Sequence, residues 1–347
     1  MTQRCGDTLL FRTPPVIAAQ AAVGGKKEGK GPLAAAFDEL SSDNRFGQSS
    51  WEAAEKYLQL RAARLCLQKA QLPEEKVRLV LAGDLQAQCT ASGYAMRELG
   101  VPFAGVFGAC STMAETLALG AALCASGAAE HLLAMASSHF CAAERQFRTP
   151  LSYGAVRTPT AQWTVTATTE IYTLSLHDAL PISGPGVPIA AATFGRVQDY
   201  QVRDINNMGA AMAPAAASTL LHYFADTHTE PQEFDCIYTG DLGQVGSSLL
   251  RELLAAEGLL VKNHVDCGCI LFDAAEQQVK SGGSGPGCCA AVLCGHILPR
   301  LLRRSQKRVL FVATGALMSQ TTFLQKESIP AVAHLVELRA PEKESGA

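Results

Sequence analysis

Cys110 is the side chain in this 347-residue chain whose surroundings most suggest reactivity. It follows Phe107, Gly108 and Ala109 and opens a run of small residues, from 112 to about 126, with the pattern of a helix. A thiol at a helix N-terminus faces unpaired N–H groups and the positive end of the helix dipole, and both favour the nucleophilic thiolate. The competing reading is a buried structural thiol, because cysteine is often buried and the chain has 12. Cys267/Cys269 and Cys288/Cys289 lack paired CxxC spacing, so no metal site is expected and the thiols are expected to be free in a reducing compartment. Gly282, Gly283 and Gly285 in GGSGPG could turn backbone N–H groups toward a carboxylate, although such a glycine run is more often a turn before a helix.

The elements that must position Cys110 follow from periodicity. Residues 50–71 predict a helix with Ser50 as its N-cap. The stretch VRLVLAGDL predicts a short buried strand ending at Gly83 and Asp84. A helix over 91–99 and a strand over 102–106 lead to Cys110, and an apolar strand from 131 to 135 leads on to Ser137, Ser138 and His139. Strands and helices alternating in this order imply a mostly parallel sheet covered by helices. Residues 24–32, GGKKEGKGP, predict an exposed loop, and MGAAMAPAAASTL predicts a helix with Pro214 near its start and small residues suited to a dimer seam.

The second half repeats the first. FDCIYTGDL mirrors RLVLAGDL, GCCAAVLCG stands where GACSTMAET stood, and KRVLFVATGAL mirrors EHLLAMASSH. The offsets are 157 residues between the GDL triplets, 179 from Cys110 to Cys289 and 177 from Leu132 to Val309. A duplicated half with one length change predicts a five-layer α/β/α/β/α arrangement, divided into residues 1–190 and 191–347.

With 48% apolar and 18% charged residues, the composition is that of a compact globular protein. The formal net charge of -3, without a basic arm, argues against nucleic-acid binding. The N-terminal residues lack a secretory pattern, and the most apolar window, 117–135, holds Glu130 and His131 and predicts a core helix and strand rather than a membrane span.

The stretches GPLAAAFD, LAGDLQAQ, FGACSTMAET, SSHFCAAERQFR, MGAAMAPAAASTL, YTGDLGQVGS, GGSGPGC and ATGALMSQTTFLQKESIP resemble the thiolase-like superfamily and, within it, the stage V sporulation AD family of spore-forming bacteria. The resemblance covers nearly the whole chain except its middle. It implies a duplicated thiolase-like α/β fold and a homodimer. It also implies binding of dipicolinic acid (pyridine-2,6-dicarboxylate), with or without calcium and with no resident cofactor. The partners implied are the other membrane subunits of the SpoVA machinery, met peripherally on the cytoplasmic side of the forespore membrane.

Condensing enzymes of this superfamily pair the cysteine with His/Asn or His/Cys partners from the second half. Aligned on that pattern, Asp241 takes the place of the histidine after the TGDL strand, and Asp266, in His264-Val265-Asp266-Cys267, takes the place of the second partner. A carboxylate accepts hydrogen bonds only, so it would repel a thioester oxyanion and hold the thiol protonated. The resemblance therefore implies a condensing fold reused as a binding pocket, the alternative being an active acyltransferase working through Cys110. For a dianionic ligand, the candidate contacts are Cys110, His139, Arg145, Arg148, Asp241, Asp266 and Gly283. Taken singly, His139 could instead be a satisfied core histidine and Arg145 a surface partner of Glu144.

Residues 168–183, TTEIYTLSLHDALPIS, break the family pattern and resemble translated sequencing-adapter sequence, a suspected foreign insert. His177 and Asp178 within it carry no weight as a catalytic pair, and a central strand is expected to pair poorly there.

Overall fold

The computed structural model describes residues 2–147, 163–164, 168–175 and 186–342. In the first half the strands are β1 (Thr2–Cys5), β2 (Thr8–Phe11), β3 (Val16–Gly24), β4 (Glu39–Leu40), β5 (Leu79–Gly83), β6 (Phe103–Gly105), β7 (His131–Ser138), β8 (Trp163–Thr164) and β9 (Thr168–Ser175). The helices are α1 (Trp51–Ala70), α2 (Thr90–Leu99), α3 (Thr112–Ala125) and α4 (Phe140–Phe147). Ser50 caps α1 as its sequence predicts, its side chain accepting from the Ala53 N–H at 3.1 Å, and Gln71 closes the helix in the left-handed conformation.

The second half supplies β10 (Val187–Thr193), β11 (Cys236–Thr239), β12 (His264–Asp266), β13 (Gly283–Ser284), β14 (Arg308–Ala316) and β15 (Ala331–Arg339). Its helices are α5 (Met208–Thr227), α6 (Gly243–Ala256), α7 (Cys267–Ile270), α8 (Pro286–Val292), α9 (Leu298–Leu302) and α10 (Gln320–Leu324). The expected boundary at 190/191 lies inside β10, the strand that begins this half.

Strand pairing makes the duplication explicit. In the first half the order is β3-β9-β7-β5-β6, and in the second it is β10-β15-β14-β11-β12. Both sets run parallel through their three outer strands, then antiparallel through the two inner ones. The sheets are therefore mixed rather than mostly parallel, because β14 turns back into β15 through residues 317–330, which carry α10, with no crossover. A short β3–β10 pairing joins the two sets.

Helices α1 and α2 pack on the outer face of the first sheet, around Leu58, Leu133 and Met135. The central layer is α3 and α8, with Met113, Leu117 and Leu293 buried between the sheets. Helices α5 and α6 cover the outer face of the second sheet, around Leu220, Tyr223 and Val312. These are the five layers expected.

The structure corrects three local expectations. Glu28, within the stretch expected to be an exposed loop, is fully buried and accepts from the Gly25 N–H at 3.1 Å. Pro214 stands inside α5 rather than near its start. Within the chain, Gly209 of α5 and Gly246 of α6 bring the two helices together so closely that a Cβ on either would meet the other's backbone. The backbone of residues 168–175 forms β9, paired along eight residues with β7 and, with one register shift between Ile17 and Ala19, with β3. Residues 176–183 lie outside the described residues, as do His177 and Asp178 within them. Among the described residues no helix is long and apolar enough to cross a membrane.

Candidate functional site

Cys110 sits in a tight turn, Ala109–Ser111, that runs directly into α3. The turn is held by its own hydroxyls: Ser111 Oγ donates to the Gly108 carbonyl at 2.7 Å and Thr112 Oγ1 to the Ala109 carbonyl at 2.7 Å. Ala109 adopts a φ of 50°, a conformation costly for a residue with a Cβ. Gly315 of β14 presses against the Gly108 carbonyl, where a side chain would not fit. Cys110 is left 6% exposed, packed with Leu85, Ala109 and Ala143 and bordered by Leu317.

The thiol faces Asp241, which follows β11 and is fully buried. Asp241 accepts from Thr314 Oγ1 of β14 at 2.9 Å, from Ser284 Oγ of β13 at 3.0 Å, from the Gly285 N–H at 3.1 Å and from the Cys110 thiol. Gly285 makes its contact at a φ of 102°, which only glycine adopts readily. Burial, then the charge of Asp241 and its hydrogen bond, push the Cys110 thiol well above its ordinary range, against weaker opposing contributions from Gly285 and Ser284. Burial also raises Asp241, to about 6, against its hydrogen bonds. Near neutral pH the carboxylate is mostly ionised and the thiol stays protonated, so the helix start does not prevail at Cys110.

The other expected residues divide. Asp266 does not reach the thiol. Its oxygens accept from Thr239 Oγ1 at 2.6 Å and from the Leu242 and Gly243 N–H groups at 2.9 Å each, so it anchors the N-terminus of α6. Burial raises it to about 7. Spacing alone had assigned it the second position beside Cys110, and the side chain found there is Ser284.

His139 is fully buried, donates from Nε2 to the Asn44 carbonyl at 2.8 Å and lies 5.5 Å from the Trp51 ring. Burial lowers its pKa, so it is neutral at physiological pH and fixes the 44–51 segment to the end of β7. Gly283 is buried, and a Cβ there would come within 3.0 Å of Cys288 Sγ and 3.3 Å of Phe272, so its role is close packing. Arg145 belongs to α4, whose Ala143 packs in the Cys110 cluster. The Gly287 N–H donates to Ser138 Oγ at 3.3 Å, which brings the end of β7 and the start of α4 to the same side as α8. Arg148 lies outside the described residues.

Ser284 and Thr314 went unassigned from sequence. The glycine run named Gly285 as part of a possible carboxylate nest, and the carboxylate its N–H reaches is the protein's own Asp241. Thr314 mirrors Ser137 at the 177-residue offset, so the duplication carried its signal.

Residues 5–339 match the model of the family described as Stage V sporulation protein AD (SpoVAD). The chain belongs to the SpoVAD family. It is 41% identical over 331 residues to Stage V sporulation protein AD of Bacillus subtilis (strain 168), covering 94% of this chain and 95% of that protein. The SpoVAD chain is also similar in fold to a variant of OleA from Xanthomonas campestris, with a TM-score of 0.57 and 13% identity over 95% of this chain and 99% of the other. It is similar to 3-oxoacyl-[acyl-carrier-protein] synthase III from Aquifex aeolicus VF5, with a TM-score of 0.55 and 10% identity over 94% and 99%. These likenesses establish the thiolase-like fold of this SpoVAD member.

Proposed function

We propose that this SpoVAD-family sporulation protein binds dipicolinic acid and does not condense acyl thioesters. The observation that carries the proposal is the Asp241 carboxylate against the Cys110 thiol. Acyl transfer needs a thiolate, and it needs donors where the thioester oxyanion forms. Asp241 opposes both requirements: it keeps the proton on sulfur, and an ionised carboxylate has no proton to donate.

In this reading the apolar side chains of Leu85, Ala143 and Leu317, packed beside the thiol, are the ones a flat ring would meet. Cations for two carboxylates would come from Arg145 on α4 and from Arg148, pairing in the bidentate manner of arginine. In this reading the protein serves the SpoVA machinery from the cytoplasmic side of the forespore membrane, through its membrane subunits and as a homodimer. Equilibrium dialysis with dipicolinate tests the arginines. Arg145→Ala and Arg148→Ala should each weaken binding at least tenfold, as expected for losing a charged hydrogen bond, and unchanged affinity in both would remove them from the site.

The second reading, an acyltransferase, is favoured by the position of Cys110 at the start of a central helix in this fold. It predicts acyl transfer from acetyl-CoA or malonyl-CoA that is abolished in Cys110→Ala. The binder reading predicts no transfer above the level of that variant.

A further inference from the structure

A second cavity, of about 320 Å3, lies between α6, β12 and α7, and neither Cys110 nor Asp241 lines it. Helix α6 contributes Ser247, Ser248 and Arg251, which the three- and four-residue spacing puts on one face. Strand β12 contributes His264, and α7 contributes Cys269.

Two polar atoms on this wall are buried without a hydrogen bond. Ser247 is only 5% exposed, and its Oγ, with the Cys269 thiol beside it, has no hydrogen-bond partner among the described residues. His264 Nδ1 is likewise buried and unpartnered. A buried polar atom left unpaired is costly, so both positions call for a group that the chain itself does not supply.

The hydrogen bonds behind His264 fix what that group must be. Thr239 Oγ1 has one proton and donates it to Asp266 Oδ2 at 2.6 Å, so its 2.8 Å contact with His264 Nε2 is a donation from the ring. Burial, then the charge of Arg251, lower His264 to about 4, which leaves the ring neutral with its single proton on Nε2. Nδ1 is therefore an acceptor, and its partner must be a donor.

Arg251 sets the charge. Among the described residues its guanidinium forms no ion pair, and its hydrogen bond is to Ser248 Oγ at 3.5 Å. Its charge is felt by both His264 and Cys269. The Asp266 carboxylate on this wall does not balance it, because its oxygens are taken by Thr239 and by the Leu242 and Gly243 N–H groups.

We propose that this cavity binds a small hydroxylated monocarboxylate, whose carboxylate pairs with Arg251, whose hydroxyl donates to His264 Nδ1, and one of whose oxygens accepts from Ser247 Oγ. A carboxylate without the hydroxyl leaves Nδ1 unpaired, and a dianion brings a second charge that one cation does not meet. The inference does not rest on the reading of the Cys110 site, since neither Cys110 nor its Asp241 partner takes part.

The test is isothermal titration of the full chain with L-lactate and, separately, with propionate, which lacks the hydroxyl, repeated on Arg251→Gln and His264→Gln. Arg251 is exposed, so Arg251→Gln should keep the wild-type melting temperature. Glutamine at 264 can still offer an N–H to Thr239 but loses the second acceptor. Saturable lactate binding is expected, about tenfold weaker in Arg251→Gln. Propionate should bind at least about threefold more weakly than lactate to the wild type and equally to His264→Gln. The proposal is overturned by no saturable lactate binding in the folded wild type, by equal lactate binding in Arg251→Gln, by propionate bound as tightly as lactate, or by a lactate preference that survives in folded His264→Gln.

Discussion

The Cys110 thiol donates a hydrogen bond to the Asp241 carboxylate and keeps its proton, so the nucleophile position of a condensing fold is occupied by a sulfur held in its unreactive form. Three further donors, from Thr314, Ser284 and Gly285, fix that carboxylate in place. Asp241→Asn removes the charge while leaving the shape, and the two hydroxyls can turn to accept from the new amide. Cys110 should then be alkylated by iodoacetamide at pH 8 at least tenfold faster, the effect of a pKa lower by about one unit. Peptide mass spectrometry resolves Cys110 from the other cysteines, and an unchanged rate would mean that Asp241 does not control the thiol.

Glu55 predicts a pH effect of definite sign. It is buried with Asp84 in a network that includes Gln86, Ser92 and Ser137, and neither carboxylate forms an ion pair among the described residues. Burial, then the charge of Asp84, raise Glu55 to about 8. The folded protein holds this proton more tightly than the unfolded chain, so the associated stability is complete at low pH and is lost as pH rises through about 8. Glu55→Gln keeps the neutral form at every pH. Its melting temperature should gain on that of the wild type between pH 5 and pH 8.5, and a difference that stays constant with pH would contradict the raised pKa.

Gly285→Ala tests the backbone at the site. A Cβ is strained at a φ of 102°, and the N–H that reaches Asp241 would be displaced. A loss of about 1–3 kcal/mol is expected in denaturant unfolding, together with faster alkylation of Cys110 if Asp241 moves away from it. Wild-type stability would show that the conformation is not required.

Ile171→Pro tests whether residues 168–175 are a working strand despite their foreign appearance. Position 171 lies between Ala21 of β3 and Met135 of β7 in the sheet ladder. Proline removes an N–H and is hardly tolerated in a central strand, so the variant should lose at least about 3 kcal/mol of stability. Wild-type melting would mean that the segment does not hold the sheet together.

Much of this architecture was legible because local chemistry and global fold agree. Ser50 caps α1 and Gln71 ends it, and the repeated GDL and apolar strands recur as β5/β11 and β7/β14 in matching sheet positions. Cys110 does stand at the start of a central helix, although burial and Asp241 reverse the consequence expected for its pKa. Asp266 was misplaced because spacing in sequence does not say which of two adjacent strand ends faces the thiol. β12 lies outside β11, so its terminal carboxylate meets the start of α6 instead. The small residues of α5 suit close approach by a neighbour, and Gly209 uses that room within the chain against Gly246 of α6.

The most direct test of the central claim is isothermal titration of the purified protein with dipicolinic acid, with a pyridine monocarboxylate and acetyl-CoA as controls in the same buffer. Saturable heat from the dicarboxylate alone is the predicted result. Heat from acetyl-CoA with none from dipicolinate would contradict the binder reading in favour of the enzyme, and silence from both in a folded sample would contradict it in favour of a scaffold that holds no small ligand.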